Sequence, residues 1–129
     1  MHRSRIGVVL IDHPEESYDA AAAFWAAARG SERRGDATDP DDPYESLAPM
    51  AGGIGLELQR TGSGTPARVH LDVETDDVRA EIARVEALGA TVVDHHDRWA
   101  VLADPGGLLF CVVPAQTGDD FAASATTWD

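Results

Sequence analysis

Apolar and polar positions along this chain follow two periods, near 2 and near 3.6, and the switches between them mark strands from helices. Residues 5–11 (RIGVVLI) form a β-branched run closed by Asp12-His13-Pro14, which predicts a mostly buried strand. A helix is expected next. Pro14 suits a first helical position, Glu15 and Glu16 favour the positive end of the dipole, and Gly30 stands where the helix should stop. Between them Tyr18, Ala21, Ala22, Trp25 and Ala28 recur at helical spacing, with Phe24 widening the stripe.

Residues 31–43 carry Gly35, Pro40, Pro43 and several acids without any period, which reads as a solvated loop holding at most one short edge strand. Residues 44–49 and 54–60 read as strands parted by Ala51-Gly52-Gly53, and 61–66 (TGSGTP) as a connector. Residues 68–74 (RVHLDVE) alternate strictly: Val69, Leu71 and Val73 on one face, Arg68, His70, Asp72 and Glu74 on the other. Thr75 is placed to cap a second helix with Asp76 and Asp77 in its first turn. Val78, Ile82, Val85 and Leu88 are its stripe and Gly89 its end. Three strands follow at 90–93, 99–103 and 108–113, parted by Asp94-His95-His96-Asp97 and Asp104-Pro105-Gly106-Gly107. The segment from 115 to 129 is polar and reads as a loose tail in which Phe121 and Trp128 are the residues able to dock.

The order repeats. Each half opens on a strand leading to a helix that ends Ala-x-Gly, and each finishes on a glycine turn feeding a last strand, GGIGLEL from 52 and GGLLFCV from 106. Each half thus reads as strand, helix, three strands.

Length and charge narrow what such a chain does. The 129 residues fit one domain able to bury a core without disulfides. No apolar run reaches the roughly 18 residues of a membrane helix, and the start turns acidic too early for a secretory signal, so a soluble cytoplasmic protein with no membrane partner is expected. A formal net charge of -13 opposes nucleic acid. All ten basic residues are arginines, which removes Schiff-base chemistry and the phosphate-loop lysine. The single Cys111 closes no intrachain disulfide.

The doubled βαβββ unit resembles the vicinal oxygen chelate superfamily of glyoxalase I, bleomycin-resistance proteins and extradiol dioxygenases. RVHLDVETDDV, the helix closing EALGA, and RWAVLADPGGLLFCVVP carry the likeness, with AAAFWAAARG and GLELQR adding to it in the first half. The resemblance implies an α+β fold in which two modules, 1–62 and 66–115, form one domain over 1–115, with 116–129 outside it as a tail. A curled mixed sheet would enclose a U-shaped cavity, its helices on the outer face. It also implies a homodimer and a small-molecule ligand.

Metal-binding members take one ligand from the first and one from the last strand of each module. Those positions here are Gly7, Glu57, His70 and Cys111. Glu57 and His70 are usual ligand types, Gly7 has no side chain, and Cys111 stands where a second carboxylate is expected. The favoured reading is therefore a glyoxalase/bleomycin-resistance type protein that holds a small organic molecule with no complete metal site and no cofactor. Glu57, Gln59, His70 and Asp72 would be its polar contacts, and Trp99 and Cys111 its less polar ones. His70 and Glu57 are also its candidate acid–base groups. The alternative is a lyase, isomerase or dioxygenase in which Glu57 and His70 hold zinc, iron, manganese or nickel. With Cys111 such a set makes a three-ligand open zinc site, although a Cys among Leu109, Phe110 and Val112 is also an ordinary buried hydrophobe. Asp72, two residues from His70 on one face, is the carboxylate placed to fix the imidazole tautomer. Asp94-His95-His96-Asp97 reads as a solvated turn rather than a metal cluster. The charge favours neutral or cationic ligands over anions.

Overall fold

The first apolar run is longer than its β-branched heart. In the computed structural model, which describes residues 1–33 and 41–129, it becomes strand β1 (His2–Pro14). The remaining elements are α1 (Tyr18–Arg29), β2 (Tyr44–Met50), β3 (Ile54–Thr61), β4 (Arg68–Thr75), α2 (Val78–Ala87), β5 (Thr91–His95), β6 (Ala100–Ala103), β7 (Leu109–Pro114), α3 (Asp119–Ser124) and β8 (Thr126–Trp128). One mixed sheet of eight strands, which does not close on itself, runs β2-β3-β1-β4-β7-β6-β5, with β8 on the start of β1. The α+β architecture expected from the resemblance is the one observed.

Each half pairs its first and last strands in parallel, β1 with β3 and β4 with β7, and the halves join through antiparallel β1 and β4. The second half is strand, helix, three strands as expected. The first shows strand, helix, two strands among the described residues; the short edge strand expected within 31–43 would fall largely on 34–40, outside them.

Parity along these strands sorts side chains onto two faces. Ile11, Leu47 and Leu58 pack under Tyr18, Ala22 and Ala26 of α1, while Ala100, Leu102 and Val112 pack under Ile82 and Val85 of α2. The opposite parity, Leu10, Glu57, His70, Val101 and Cys111, faces the hollow. The helices therefore lie on the outer face, and each shields its own half of the sheet.

Several local expectations are corrected. Pro14 does not open α1: β1 runs through it, pairing Pro14 with Thr61, at a strand end where the missing N–H is tolerated. The helix therefore starts at Tyr18, whose hydroxyl donates to Glu45 at 2.9 Å, and its buried line is Tyr18, Ala22, Ala26. Phe24 and Trp25 are left 62% and 36% exposed, and Ala28 is exposed as well. Gly30 ends the helix in the left-handed region (φ 67°) as expected. Asp77, not Thr75, caps α2 by accepting from the Ala80 N–H; the Thr75 hydroxyl sits one step earlier, donating to the Arg3 carbonyl and accepting from the Asp77 N–H. Asp94 and His95 belong to β5 rather than to the following turn, and Leu88 at the end of α2 is exposed.

The segment after 115 is not loose. Phe121 of α3 is buried, and β8 pairs antiparallel with β1, Trp128 opposite His2. The Trp128 indole N–H donates to Ser4 at 2.8 Å and its ring lies 3.9 Å under the Arg84 guanidinium. Arg84 in turn donates twice to Glu81, a fully buried carboxylate on the α2 stripe that also bonds His2 at 2.6 Å. The C-terminus thus clasps α2 to β1. Trp128→Ala should lower the unfolding free energy by roughly 2–3 kcal/mol, from lost ring packing and cation–π attraction. Urea titration showing no change would remove the clasp.

Candidate functional site

The hollow of the sheet is a cavity of about 610 Å³. It brings together all six residues singled out from the sequence: Glu57 and Gln59 from β3, His70 and Asp72 from β4, Cys111 from β7, and Trp99 just before β6. Strand alternation delivers them to one face, since Glu57 and Gln59, like His70 and Asp72, are two residues apart. Contrary to the sequence expectation of one dry and one polar face on β4, the polar face is the better buried. His70 is 8% exposed, whereas Val69 is 47% exposed, because the curled sheet encloses the hollow while α2 covers only part of the other side.

Asp72 is not the group that fixes the imidazole. The partner is Asp12, whose Oδ2 lies 2.8 Å from His70 Nδ1, while Asp72 Oδ1 is 4.0 Å from Nε2. Asp12 is wholly buried, accepts also from Arg68 Nε at 3.3 Å, and keeps Oδ1 without a hydrogen-bond partner among the described residues. Because β1 and β4 run antiparallel, with Leu10 opposite His70 and Asp12 opposite Arg68, the carboxylate reaches the ring diagonally. A carboxylate only accepts, so Nδ1 carries the proton between the two groups and Nε2 faces Asp72.

Sequence reasoning misses Asp12 because it stands before His13-Pro14, where the pattern reads as a turn. Parity with Val8 and Leu10 is the signal that could have found it. Tyr44 and Phe110 also line the cavity, and no motif in the sequence marks either of them.

Negative charge crowds this space. Burial, with Glu57 and Asp12 adding to it and His70 opposing, pushes the Asp72 carboxyl up to about 6. The Cys111 thiol is pushed up to about 12 by burial and by Asp72 and Asp12. Burial also raises Glu57, against a hydrogen bond from Ser46.

The donor atoms of His70, Asp72 and Cys111 all lie within 4.8 Å of one another. Glu57 lines the cavity outside that group. The four positions implied by the resemblance do not assemble a donor set. Gly7 offers no atom, and a Cβ there would overlap Glu74, whose carboxylate is fully buried and paired with Arg5 at 2.9 Å.

Comparison with known proteins agrees with this architecture. A family model described as a glyoxalase-like domain matches residues 8–113. The chain belongs to that family. Its fold is that of the vicinal oxygen chelate superfamily, in which glyoxalases and methylmalonyl-CoA epimerases are structural neighbours. A hypothetical protein of Bacillus halodurans C-125 superposes with a TM-score of 0.60 at 14% identity, over 88% of this chain and 95% of that one. The Mn(II)-bound glyoxalase of Novosphingobium aromaticivorans gives 0.59 at 22%, over 90% of this chain but 43% of that one. Methylmalonyl-CoA epimerase of Mycobacterium tuberculosis gives 0.58 at 18%, over 92% and 91%. At such identities the likeness shows the fold alone. No curated protein matches. No helix among the described residues is long and apolar enough to cross a membrane.

The two histidines of the 94–97 segment do not line this cavity, although one of them touches Trp99, which borders it. His95 and His96 line a second cleft beside α2 that shares Trp99 with the cavity; there the His96 ring stacks on Trp99 at 3.9 Å and its Nε2 meets Asp94 at 3.1 Å.

Proposed function

We propose that this glyoxalase-like domain binds a small organic molecule, neutral or cationic, in the cavity of its curled sheet. The observation that carries the reading is the lining. Asp42, Glu57 and Asp72 contribute carboxylates to a 610 Å³ hollow in which Arg68 is the one guanidinium among the described residues, and Arg68 is already engaged by Asp12. The volume lies within the roughly 300–1,000 Å³ usual for small-molecule sites.

Tyr44, Trp99 and Phe110 supply flat apolar walls beside those acids. Such walls attract cations as well as apolar rings. Glu57, Gln59 and Asp72 are the orienting polar contacts, and His70, held by Asp12, presents a fixed Nε2 acceptor. An anion entering here would meet the half-buried carboxylates of Glu57 and Asp72.

The test is a thermal-shift panel of organic cations, neutral compounds and anions on protein kept in chelator. A matched ligand at a hundredfold excess over its Kd should add about 2.7 kcal/mol of stability, and it should come from the cationic or neutral set. Stabilisation by anions alone would overturn the reading.

A further inference from the structure

The four-position metal set implied by the family fails here at Gly7, but a different and more compact set is present. His70 and Asp72 project from β4 and Cys111 from the adjacent β7, where Asp72 and Cys111 are register partners, so three unlike donors stand on two paired strands. Their donor atoms lie within 4.8 Å of one another, and strands hold such a group more firmly than loops do.

His70 is prepared for this role from behind. Asp12 takes Nδ1 at 2.8 Å and leaves Nε2 facing Asp72, the arrangement that orients ligating histidines in metal sites generally. Asp12 also adds negative charge behind the group. It is a fully buried carboxylate with one oxygen unpartnered among the described residues, and the guanidinium beside it, Arg68, is 45% exposed. Burying that much negative charge is costly unless a cation shares the site.

One imidazole, one carboxylate and one thiolate match a tetrahedral ion with its fourth position open to the cavity. The sulfur decides which ion. Thiolate favours zinc or cobalt(II) over magnesium, calcium or manganese, whose preference is for oxygen.

We propose that His70, Asp72 and Cys111 together bind one thiophilic divalent ion, zinc foremost, with Asp12 as the positioning residue behind His70 and without Glu57 as a ligand. The thiol releases its proton to solvent as the ion enters. The ion would share this hollow with the organic ligand, so the two are tested apart: the panel above is run with chelator present.

Metal-free protein titrated with cobalt(II) provides the test, because the chain has a single cysteine and any thiolate-to-cobalt charge-transfer band must come from Cys111. One equivalent should bring up that near-ultraviolet band together with the visible bands of tetrahedral cobalt, and zinc should displace both. Cys111→Ser should abolish the charge-transfer band. Asp72→Asn should weaken zinc binding by more than the roughly 10–100-fold expected of the outer-shell change Asp12→Asn. Glu57→Gln should weaken zinc binding less than Asp72→Asn does, because it removes a neighbouring charge and not a ligand. Absence of the band in folded wild-type protein overturns the proposal whether or not a variant folds. So does a Glu57→Gln loss equal to that of Asp72→Asn.

Discussion

Asp72→Asn is expected to be more stable than wild type at pH 8 by roughly 2–3 kcal/mol in urea unfolding with chelator present, a gap that should close by about pH 4. The folded protein holds the Asp72 carboxyl near 6, against 3.8 for the same group in the open chain, chiefly by burial and then through Glu57 and Asp12 over the opposing pull of His70. A carboxyl raised on folding binds its proton more tightly in the folded state. Stability is thus greatest below about 4 and is lost as pH rises through about 6. Each tenfold gain in proton affinity is worth about 1.4 kcal/mol, and the side chain is only 13% exposed, so solvent screens little of it. Asparagine keeps the shape and removes the titration. A gap of the same size at both pH values would show that packing, not charge, separates the two proteins. The buried anion destabilises the empty fold and favours whatever cation enters the cavity.

Much of the fold is legible in the sequence because it rests on period and punctuation. The β4 alternation places His70 and Asp72 on one face, Gly30 and Gly89 mark helix ends, and the repeat gives the order of elements in the second half. The six site candidates share a cavity for the same reason. What cannot be read depends on contacts distant in sequence. Asp12 reaches His70 across 58 residues through an antiparallel register that no local pattern encodes. The face that α1 buries is displaced from Trp25 to Ala26 because β1 runs on through Pro14 and Tyr18 finds Glu45. Glu81 lies on an apolar stripe and is charged, so its burial makes sense only with His2 and Arg84 beside it. The docking of 115–129 likewise needs the first residues of the chain as its partner.

Arg5→Ala should cost roughly 3–5 kcal/mol, a large part of the roughly 5–15 kcal/mol that holds a domain of this kind together. Arg5 and Glu74 form an ion pair at 2.9 Å with side chains 8% and 0% exposed. The guanidinium also donates to the Gly52 carbonyl at 2.9 Å and to Ser124 at 2.8 Å, tying the β2–β3 turn and α3 to the sheet. Glu74 accepts in addition from the Gln116 N–H at 3.1 Å and from the Thr117 hydroxyl. Losing Arg5 leaves that carboxylate buried without its counter-ion, whereas Arg5→Met with Glu74→Leu removes both charges at similar volume and should cost far less. The same carboxylate explains the glycine at position 7. Its side chain occupies the space a Cβ would need, and Arg5 prevents it from swinging away, so Gly7→Ala should cost roughly 1–3 kcal/mol by overpacking. On a Glu74→Ala background that cost should largely disappear. A double-mutant cycle in urea measures the coupling, and equal costs of Gly7→Ala in both backgrounds would refute it. The coupling also bears on the metal. A ligating side chain placed at position 7 cannot complete the four-position set while Glu74 fills the space beside it, so any ion in this cavity must be held by donors on the other strands.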